Sequence, residues 1–206
     1  MFSKDALKGQ RILVTGGGSG LGKEMSRHFL KFGSEVVICG RRESVLEDTA
    51  KELSDETGGV ITYFPLDIRD SMAIEASVEE LFNEKPLTGL VNNAAGNFIS
   101  RTKDLSPNGF NAIASIVFHG TFYITNAVGK RWIENKQKGS IISILATWVW
   151  TGSPFVIPSA MSKSGINAMT KSLAVEWGQY GIRLNAIAPG PFPTEGAWSR
   201  LMPQTG

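Results

Sequence analysis

A glycine-rich turn near the beginning of the chain constrains the fold more than any other feature of the sequence. It reads Thr15-Gly16-Gly17-Gly18-Ser19-Gly20-Leu21-Gly22 and directly follows an apolar run at residues 11–14. An amphipathic stretch over residues 21–32 comes next and ends at Gly33. A strand that passes through such a turn into a helix is the beginning of a strand–helix–strand unit. The turn therefore predicts a sheet of parallel strands joined by helical crossovers.

Short apolar runs alternate with helix-length amphipathic stretches through the rest of the chain. We predict strands at residues 11–14, 35–40, 60–64, 89–93, 140–145 and 182–188. We predict helices at residues 21–32, 43–57, 71–83, 107–132 and 159–180. This alternation indicates an α/β protein with a doubly wound parallel sheet and helices on both faces, the Rossmann fold. Because no repeat or linker interrupts the pattern, we expect a single domain over residues 1–206.

The composition excludes several classes of protein. The 206 residues are 42% hydrophobic and 19% charged, with a net charge of +2, as in a globular protein. Basic residues are scattered apart from Arg41-Arg42, so we expect no nucleic-acid partner. The single cysteine, Cys39, excludes a cysteine-based zinc site, and we predict no metal site. Residues 1–10 are polar and no apolar run approaches the length of a membrane span, so we expect a cytoplasmic protein without a membrane partner.

The glycine turn has the chemistry of a phosphate-binding loop. Gly16 permits the turn, Gly20 lets the backbone approach a pyrophosphate, and Gly22 lets the helix pack close to the sheet. The N–H groups at the start of the helix carry a partial positive charge that attracts phosphates. The turn therefore predicts a dinucleotide ligand. A purely structural glycine turn is the alternative, which the flanking strand and helix disfavour.

The end of the second predicted strand distinguishes the two nicotinamide dinucleotides. An acidic residue there would bind the ribose 2′-hydroxyl of NAD, whereas this chain has Gly40-Arg41-Arg42. An arginine at this position suits the 2′-phosphate of NADP(H). A pair of solvated surface charges is the alternative. We predict NADP(H) as the cofactor.

Four segments together resemble the short-chain dehydrogenase/reductase family. They are the glycine turn, Asp67 after the third predicted strand, residues 92–96 (Asn-Asn-Ala-Ala-Gly) and residues 189–191 (Pro-Gly-Pro). By this resemblance, Asp67 and its neighbour contact the adenine of the cofactor, and the segment at residues 92–96 contacts its ribose. The segment at residues 189–191 and its neighbour lie near the nicotinamide amide. The residues that we expect to contact the cofactor are Thr15, Gly16, Gly18, Ser19, Gly20, Leu21, Gly22, Arg41, Arg42, Asp67, Ile68, Asn93, Ala94, Ala95, Lys163, Pro189, Gly190 and Phe192.

Within that family, four segments resemble the 2,4-dienoyl-CoA reductases of unsaturated fatty acid β-oxidation. They are residues 93–100 (Asn-Ala-Ala-Gly-Asn-Phe-Ile-Ser), residues 105–108 (Leu-Ser-Pro-Asn), residues 158–160 (Pro-Ser-Ala) leading to Lys163, and residues 189–191 (Pro-Gly-Pro) leading to Gly196-Ala197. The resemblance implies an acyl-CoA substrate and NADPH-dependent reduction of a conjugated thioester. It also implies a homo-oligomer, a dimer or a tetramer, if the C-terminal part of the family fold is present. It makes Asn97 a hydrogen-bond donor to the thioester oxygen and places Lys163 on the nicotinamide ribose.

The pair Ser159 and Lys163 favours a reaction at carbon over reduction of a ketone. Carbonyl-reducing members carry a tyrosine four residues before the lysine, one helical turn away, which protonates the nascent alkoxide. Serine is a far weaker acid than tyrosine, and Ala146 occupies the position of the usual catalytic serine. Reduction of a conjugated thioester requires only neutral donors at the enolate oxygen. Ser159 could then hydrogen-bond to the substrate or to the cofactor.

Trp148 departs from the dienoyl reductases of the mitochondrial type, which have a tyrosine at this position. Its indole N–H is a donor without useful acidity, so Trp148 either polarises the thioester oxygen or lines the acyl channel. His119 replaces an asparagine that many family members use to hold a water, and it either relays a proton or is structural. Trp150, Phe155 and Trp198 either shape an acyl tunnel or pack in the core.

Two other functions remain open beside the leading one. The first is a carbonyl reductase with an unusual proton donor. The second is a non-catalytic chain that binds NADP(H) as a sensor or scaffold, which Trp148 would favour. The family usually continues for some tens of residues beyond Gly206, so we expect its C-terminal part to be missing and residues 1–206 alone to have low solubility or activity.

Overall fold

Six parallel strands form one sheet at the centre of the molecule, in a computed structural model that describes residues 2–190 and 192. The strand order is β3-β2-β1-β4-β5-β6. The strands are β1 (Arg11–Thr15), β2 (Glu35–Gly40), β3 (Ile61–Pro65), β4 (Gly89–Asn92), β5 (Gly139–Ile144) and β6 (Ile182–Ile187). This order is that of the doubly wound dinucleotide-binding sheet, so the predicted fold class is confirmed.

Helices connect the strands and cover both faces of the sheet. They are α1 (Gly20–Lys31), α2 (Glu43–Thr57), α3 (Ser71–Glu84), α4 (Pro107–Ala114), α5 (Gly120–Glu134), α6 (Trp148–Thr151) and α7 (Ile157–Trp177). Short 3₁₀ turns lie at Thr102–Asp104 and Gly178–Tyr180, and a π-helical segment, Ser115–His119, joins α4 to α5. The right-handed crossover that parallel strands require explains why the helices fall on both faces.

Successive residues of β1 enter two separate hydrophobic cores. Leu13 packs in the core that includes Trp132 of α5, whereas Ile12 and Val14 pack in the core that includes Leu46 of α2. Because the side chains of a strand alternate between faces, a strand buried on both faces is apolar throughout. The continuous apolar run that predicted β1 has this cause.

The strand order reverses between β1 and β4. From β1 the chain builds outward through β2 and β3 on one side, and from β4 through β5 and β6 on the other. The connections after β1 and β4 therefore leave in opposite directions and open a crevice at the carboxyl ends of these strands. Thr15 and Asn92, the last residues of the two strands, mark the crevice.

The structure differs from the predicted helices in three places. The predicted helix at residues 107–132 is interrupted by the π-helical segment, which periodicity does not reveal. The four-residue helix α6 was missed because one helical turn has no measurable period. Helix α7 begins at Ile157 rather than Ser159, because Pro158 occupies its first turn, where the missing proline N–H costs nothing.

The expectation that no apolar run has the length of a membrane span was also wrong. Among the described helices, the continuous stretch Pro107–Glu134 is long and apolar enough to cross a membrane by length and composition. Its 18-residue window has a mean hydropathy of 1.2, and 56% of that window is buried inside the fold. Core helices pass the same test, so the stretch is weak evidence for a membrane span.

Candidate active site

The glycine turn forms a cradle that side chains would fill. Gly16 and Gly20 have positive φ angles of 66° and 53°, in the left-handed region that favours glycine. A Cβ at Gly22 would lie 2.4 Å from the carbonyl oxygen of Gly16 and 2.6 Å from Nδ2 of Asn93. Such distances are too short for any side chain, so the close packing of α1 against the turn requires glycine at position 22.

The N-terminus of α1 is free of the groups that would compete with a phosphate. Its first turn carries no acidic residue, and the side chain of Ser19 makes no capping hydrogen bond. Thr49 Oγ1 of α2 donates to Gly18 O at 2.9 Å and holds the turn from the other side. The first N–H groups of a helix have no partner within the helix. This cradle fits a dinucleotide pyrophosphate.

Thr15 and Asn93 lock the ends of β1 and β4 together. Thr15 Oγ1 accepts hydrogen bonds from the backbone N–H groups of Asn93 and Ala94, both at 3.0 Å. Asn93 Nδ2 donates to Thr15 O at 3.0 Å. The Thr15 hydroxyl and the Asn93 amide nitrogen are therefore used within the protein. They join the two strand ends at the crevice, and Ala94 and Ala95 follow directly in the chain.

Arg41 and Arg42 are exposed directly after β2 and form no ion pair among residues 2–190 and 192. Asp67 accepts hydrogen bonds from Nε and the backbone N–H of Arg69, at 2.9 and 3.0 Å. The hydrogen bond from Arg69, assisted by its charge and that of Arg41, lowers the pKa of the Asp67 carboxyl below its usual value. Asp67 thus caps its own turn, and Ile68 beside it is buried against Gly120.

Ser159 and Lys163 lie one turn apart on α7, and both are buried. Lys163 Nζ donates to the carbonyl oxygen of Ile144 at the end of β5. Burial lowers the pKa of Lys163 to about 8. Helix α7 contains no tyrosine, so the acid that carbonyl reduction uses is not provided by this helix.

Two uncharged N–H donors are buried in the loops that follow the neighbouring strands β4 and β5. Asn97 Oδ1 accepts from the backbone N–H of Phe98 at 3.0 Å, while Asn97 Nδ2 has no acceptor within the described part of the chain. The indole Nε1 of Trp148 is likewise buried without an acceptor from any described residue. Both loops reach the ligand-binding edge of the sheet.

A backbone hydrogen bond joins the loop after β4 to the loop before α7. Ser100 N donates to Phe155 O at 2.9 Å. Phe155 has a φ of 66°, which is rare for a bulky residue. Its ring is half exposed, as is Ile99, and Trp150 is 70% exposed. Nothing in the sequence signalled this link, since it is made by main-chain atoms.

The remaining predicted residues are more exposed. His119 is exposed at the end of the π-helical segment, and its ring contacts Phe118 and Tyr123 edge to face. Pro189 and Gly190 follow β6, and Phe192 is about half exposed. Pro191 and Trp198 lie outside the described residues.

Comparison with known proteins identifies relatives of this chain. The family model described as short chain dehydrogenase matches residues 10–203. The "Probable 2,4-dienoyl-CoA reductase 3 [(3E)-enoyl-CoA-producing]" of Caenorhabditis elegans is 48% identical over 199 residues, which are 95% of this chain and 64% of that protein. The "Probable 2,4-dienoyl-CoA reductase [(2E)-enoyl-CoA-producing]" of Bacillus subtilis is 41% identical over 192 residues, 92% of this chain and 75% of that protein.

A solved structure has the same fold and holds a nicotinamide cofactor. It is a putative NAD(P) dependent gluconate 5-dehydrogenase from Beutenbergia cavernae with bound NADP at low occupancy. It superimposes with a TM-score of 0.89 at 26% identity and covers 96% of this chain and 78% of its own. The chain spans less than two thirds of the length of the C. elegans relative.

Proposed function

The chain belongs to the short chain dehydrogenase family, and we propose that it catalyses the NADPH-dependent reduction of 2,4-dienoyl-CoA to an enoyl-CoA. Two relatives named 2,4-dienoyl-CoA reductases, at 48% and 41% identity over nearly the whole chain, support the proposal. An acyl-CoA is accordingly the proposed substrate, and unsaturated fatty acid β-oxidation the proposed process. The resemblance of residues 93–100 and 158–163 to these reductases supports the same substrate.

One observation carries the proposal: Asn97 has a buried amide N–H without an acceptor among the described residues, and the Ser–Lys motif of α7 has no tyrosine. When a conjugated thioester accepts hydride at carbon, the negative charge spreads onto its oxygen. A neutral donor already in place stabilises that charge without reorganisation. No strong acid is needed at the oxygen, because the proton is later added at carbon. A ketone would require such an acid.

The family uses NAD(P)(H), and we propose NADPH as the cofactor of this chain. When bound, NADPH supplies the hydride. The exposed guanidinium groups of Arg41 and Arg42 would hold the 2′-phosphate, and the N-terminus of α1 would hold the pyrophosphate. Lys163 would hydrogen-bond to the hydroxyl groups of the nicotinamide ribose. Ser159, one turn earlier on α7, is close enough in sequence to bind the same end of the cofactor or the substrate.

We further propose that the protein acts as a homo-oligomer in the cytoplasm. An exposed apolar stripe is formed by Phe118 of the π-helical segment, Phe122 of α5 and Met161 of α7. Phe118 lies against Gly165, so the two helices present one continuous surface. A second copy of the chain would cover such a surface. Sedimentation as a monomer at micromolar concentration would contradict this part of the proposal.

A substrate panel tests the proposed function. NADPH oxidation is followed with 2,4-hexadienoyl-CoA, with crotonyl-CoA, and with a set of ketones. We expect turnover of the dienoyl thioester. Turnover of ketones alone would favour the carbonyl-reductase alternative, and NADPH binding without any turnover would favour a sensor.

A further inference from the structure

Trp148 carries a buried N–H that meets no acceptor from the described residues, and we infer that this N–H donates to the thioester oxygen as the substrate is reduced. This inference deepens the proposed function and rests on it. It decides between the two roles that the sequence leaves open for Trp148, a hydrogen-bond donor and a wall of the acyl channel.

A short hydrogen-bonded helix holds Trp148 at the carboxyl end of β5. Trp148 is the first residue of α6, and its carbonyl oxygen accepts from the backbone N–H of Gly152 at 2.9 Å. The next residue, Val149, donates its N–H to Ala146 O at 3.1 Å and packs against the core cluster that contains Leu145. The indole therefore projects from an ordered turn at the edge of the sheet where ligands bind.

Trp132 shows how this fold treats an indole that has only a structural role. Trp132 is fully buried, and its Nε1 donates to Leu87 O at 2.6 Å. Trp148 Nε1 is equally inaccessible to solvent but has no acceptor in the described ranges. A buried donor without a partner loses its hydration and gains nothing in return, so such donors are rare. Because the Trp148 N–H also follows β5, at the edge of the sheet where ligands bind, its acceptor in our inference is one that arrives with a ligand.

Asn97 provides a second donor of the same kind. Because a backbone N–H can bond only to the amide oxygen, the contact from Phe98 N to Asn97 Oδ1 fixes which end of this amide is free. The free end, Nδ2, is buried and unpaired within residues 2–190 and 192. Phe98 and Val149, the neighbours of Asn97 and Trp148, pack on the same hydrophobic cluster. One apolar core thus anchors both donor-bearing loops.

An oxygen that gains negative charge is the acceptor that suits two neutral N–H donors. As the diene accepts hydride at carbon, its π electrons shift toward the thioester and the carbonyl oxygen becomes an enolate oxygen. A proton from water then adds to carbon, and the electron pair returns to re-form the carbonyl. Indole donates a hydrogen bond but has no useful acidity, so Trp148 stabilises the enolate and keeps its proton.

The kcat of Trp148 variants distinguishes a hydrogen-bond donor from a wall of the acyl channel. Trp148→Phe keeps an aromatic ring and removes the N–H, and we expect kcat for 2,4-hexadienoyl-CoA to fall about 100-fold with the Kd of NADPH unchanged. Trp148→Tyr returns a donor and recovers part of the loss. An unchanged kcat in Trp148→Phe, or a loss in KM alone, would overturn the inference. A parent chain that turns over no dienoyl-CoA would instead overturn the proposed function.

Thermal unfolding of two matched variants supplies a control that does not depend on activity. Trp132→Phe breaks a formed hydrogen bond, and we expect its Tm to fall by about 3 °C with kcat little changed. Trp148→Phe removes a donor that has no partner in the described structure, so we expect a smaller fall in Tm and the larger loss of kcat. An equal fall in Tm would show that the Trp148 indole has a structural partner, which contradicts the inference.

The indole resonance of Trp148 tests the hydrogen bond itself. In ¹H–¹⁵N spectra the Trp148 indole peak is identified by its absence from Trp148→Phe. On addition of 2,4-hexadienoyl-CoA together with NADP⁺, which cannot donate hydride, we expect the Trp148 indole proton to shift downfield. The Trp132 peak should remain in place, because its N–H is already bonded. A Trp148 peak that does not move while the thioester binds would contradict the inference.

Discussion

Lys163 is a buried lysine whose ammonium group forms no ion pair with any described residue. Its Nζ donates to Ile144 O, and burial lowers its pKa to about 8. In the carbonyl-reducing relatives, a charged lysine at this position assists a tyrosine. Here the residue one turn earlier is Ser159, which gains too little acidity from the lysine to protonate an alkoxide. The buried ammonium group is therefore available for binding, and we propose that it binds the hydroxyl groups of the nicotinamide ribose.

The low pKa of Lys163 predicts a pH dependence of stability. The unfolded chain holds this proton up to a pH near 10.5 and the folded chain only to about 8. The unfolded state therefore binds more protons between these values, and the free energy of unfolding rises with pH from this group. Below pH 8 the buried charge of Lys163 lowers the free energy of unfolding by its full amount, on the order of 3 kcal/mol.

Lys163→Met should abolish the increase with pH of the free energy of unfolding that Lys163 causes. We expect the variant to be more stable than the parent near pH 7, and the difference to shrink as the pH rises to 9. Urea denaturation at several pH values measures it. A difference that stays constant with pH would show that Lys163 keeps an ordinary pKa in the folded chain. Burial also raises the pKa of Cys39 to about 12. Because Cys39 is present in both proteins, its contribution cancels in the difference between their free energies of unfolding.

Asn97 should matter for hydride transfer and little for cofactor binding. Its Nδ2 is the unpaired donor, and no cofactor contact is assigned to it. We expect Asn97→Ala to lower the rate of hydride transfer by about 100-fold or more. Single-turnover kinetics and NADPH fluorescence titration measure the two effects separately. Equal losses of rate and of NADPH affinity would indicate that Asn97 only shapes the loop.

At the scale of elements, the contact between α1 and the glycine turn explains why the geometry of this turn was predictable from the sequence. Glycines with defined spacing are required by backbone geometry, and backbone geometry is visible in the sequence. The roles expected for Gly16 and Gly22 agree with the positive φ and the close approach found there. The loops after β4 and before α7 were less predictable, because the contact between them, Ser100 N to Phe155 O, is made by main-chain atoms.

Gly22→Ala tests the cradle as an element. The added Cβ would lie 2.4 Å from Gly16 O, so we expect α1 to move away from the turn and NADPH affinity to fall at least tenfold. Gly178→Ala is the control, because its Cβ would meet no atom within 4 Å. Isothermal titration with NADPH compares the two variants. Unchanged affinity in Gly22→Ala would show that the turn does not carry the pyrophosphate.

The π-helical segment and α6 show where elements escaped prediction. A π-helical insertion leaves the apolar pattern of a long helix nearly intact, so residues 107–132 looked continuous. Helix α6 is a single turn whose position is set by hydrogen bonds to residues that follow β5. Both lie at the edge of the sheet where the site is built, and π-helical insertions are frequent at such sites.

For the whole molecule, the order of the six strands follows from the alternation of strands and helices. Buried parallel strands are apolar throughout, and right-handed crossovers leave few possible topologies. The family and the fold were therefore predictable from residues alone. The free donors of Asn97 and Trp148 were not, because the state of a hydrogen bond depends on which loops meet in space. The sequence predicts both as site residues, and the structure adds that their donors are unpaired within the described residues.

The most direct test of the central claim is NADPH oxidation by this chain with 2,4-hexadienoyl-CoA, compared under identical conditions with crotonyl-CoA and a ketone panel. Product identity is read by mass spectrometry. We expect turnover of the dienoyl thioester to an enoyl-CoA heavier by two hydrogens, and little or no turnover of ketones. Reduction of ketones with no reaction of the dienoyl thioester would contradict it.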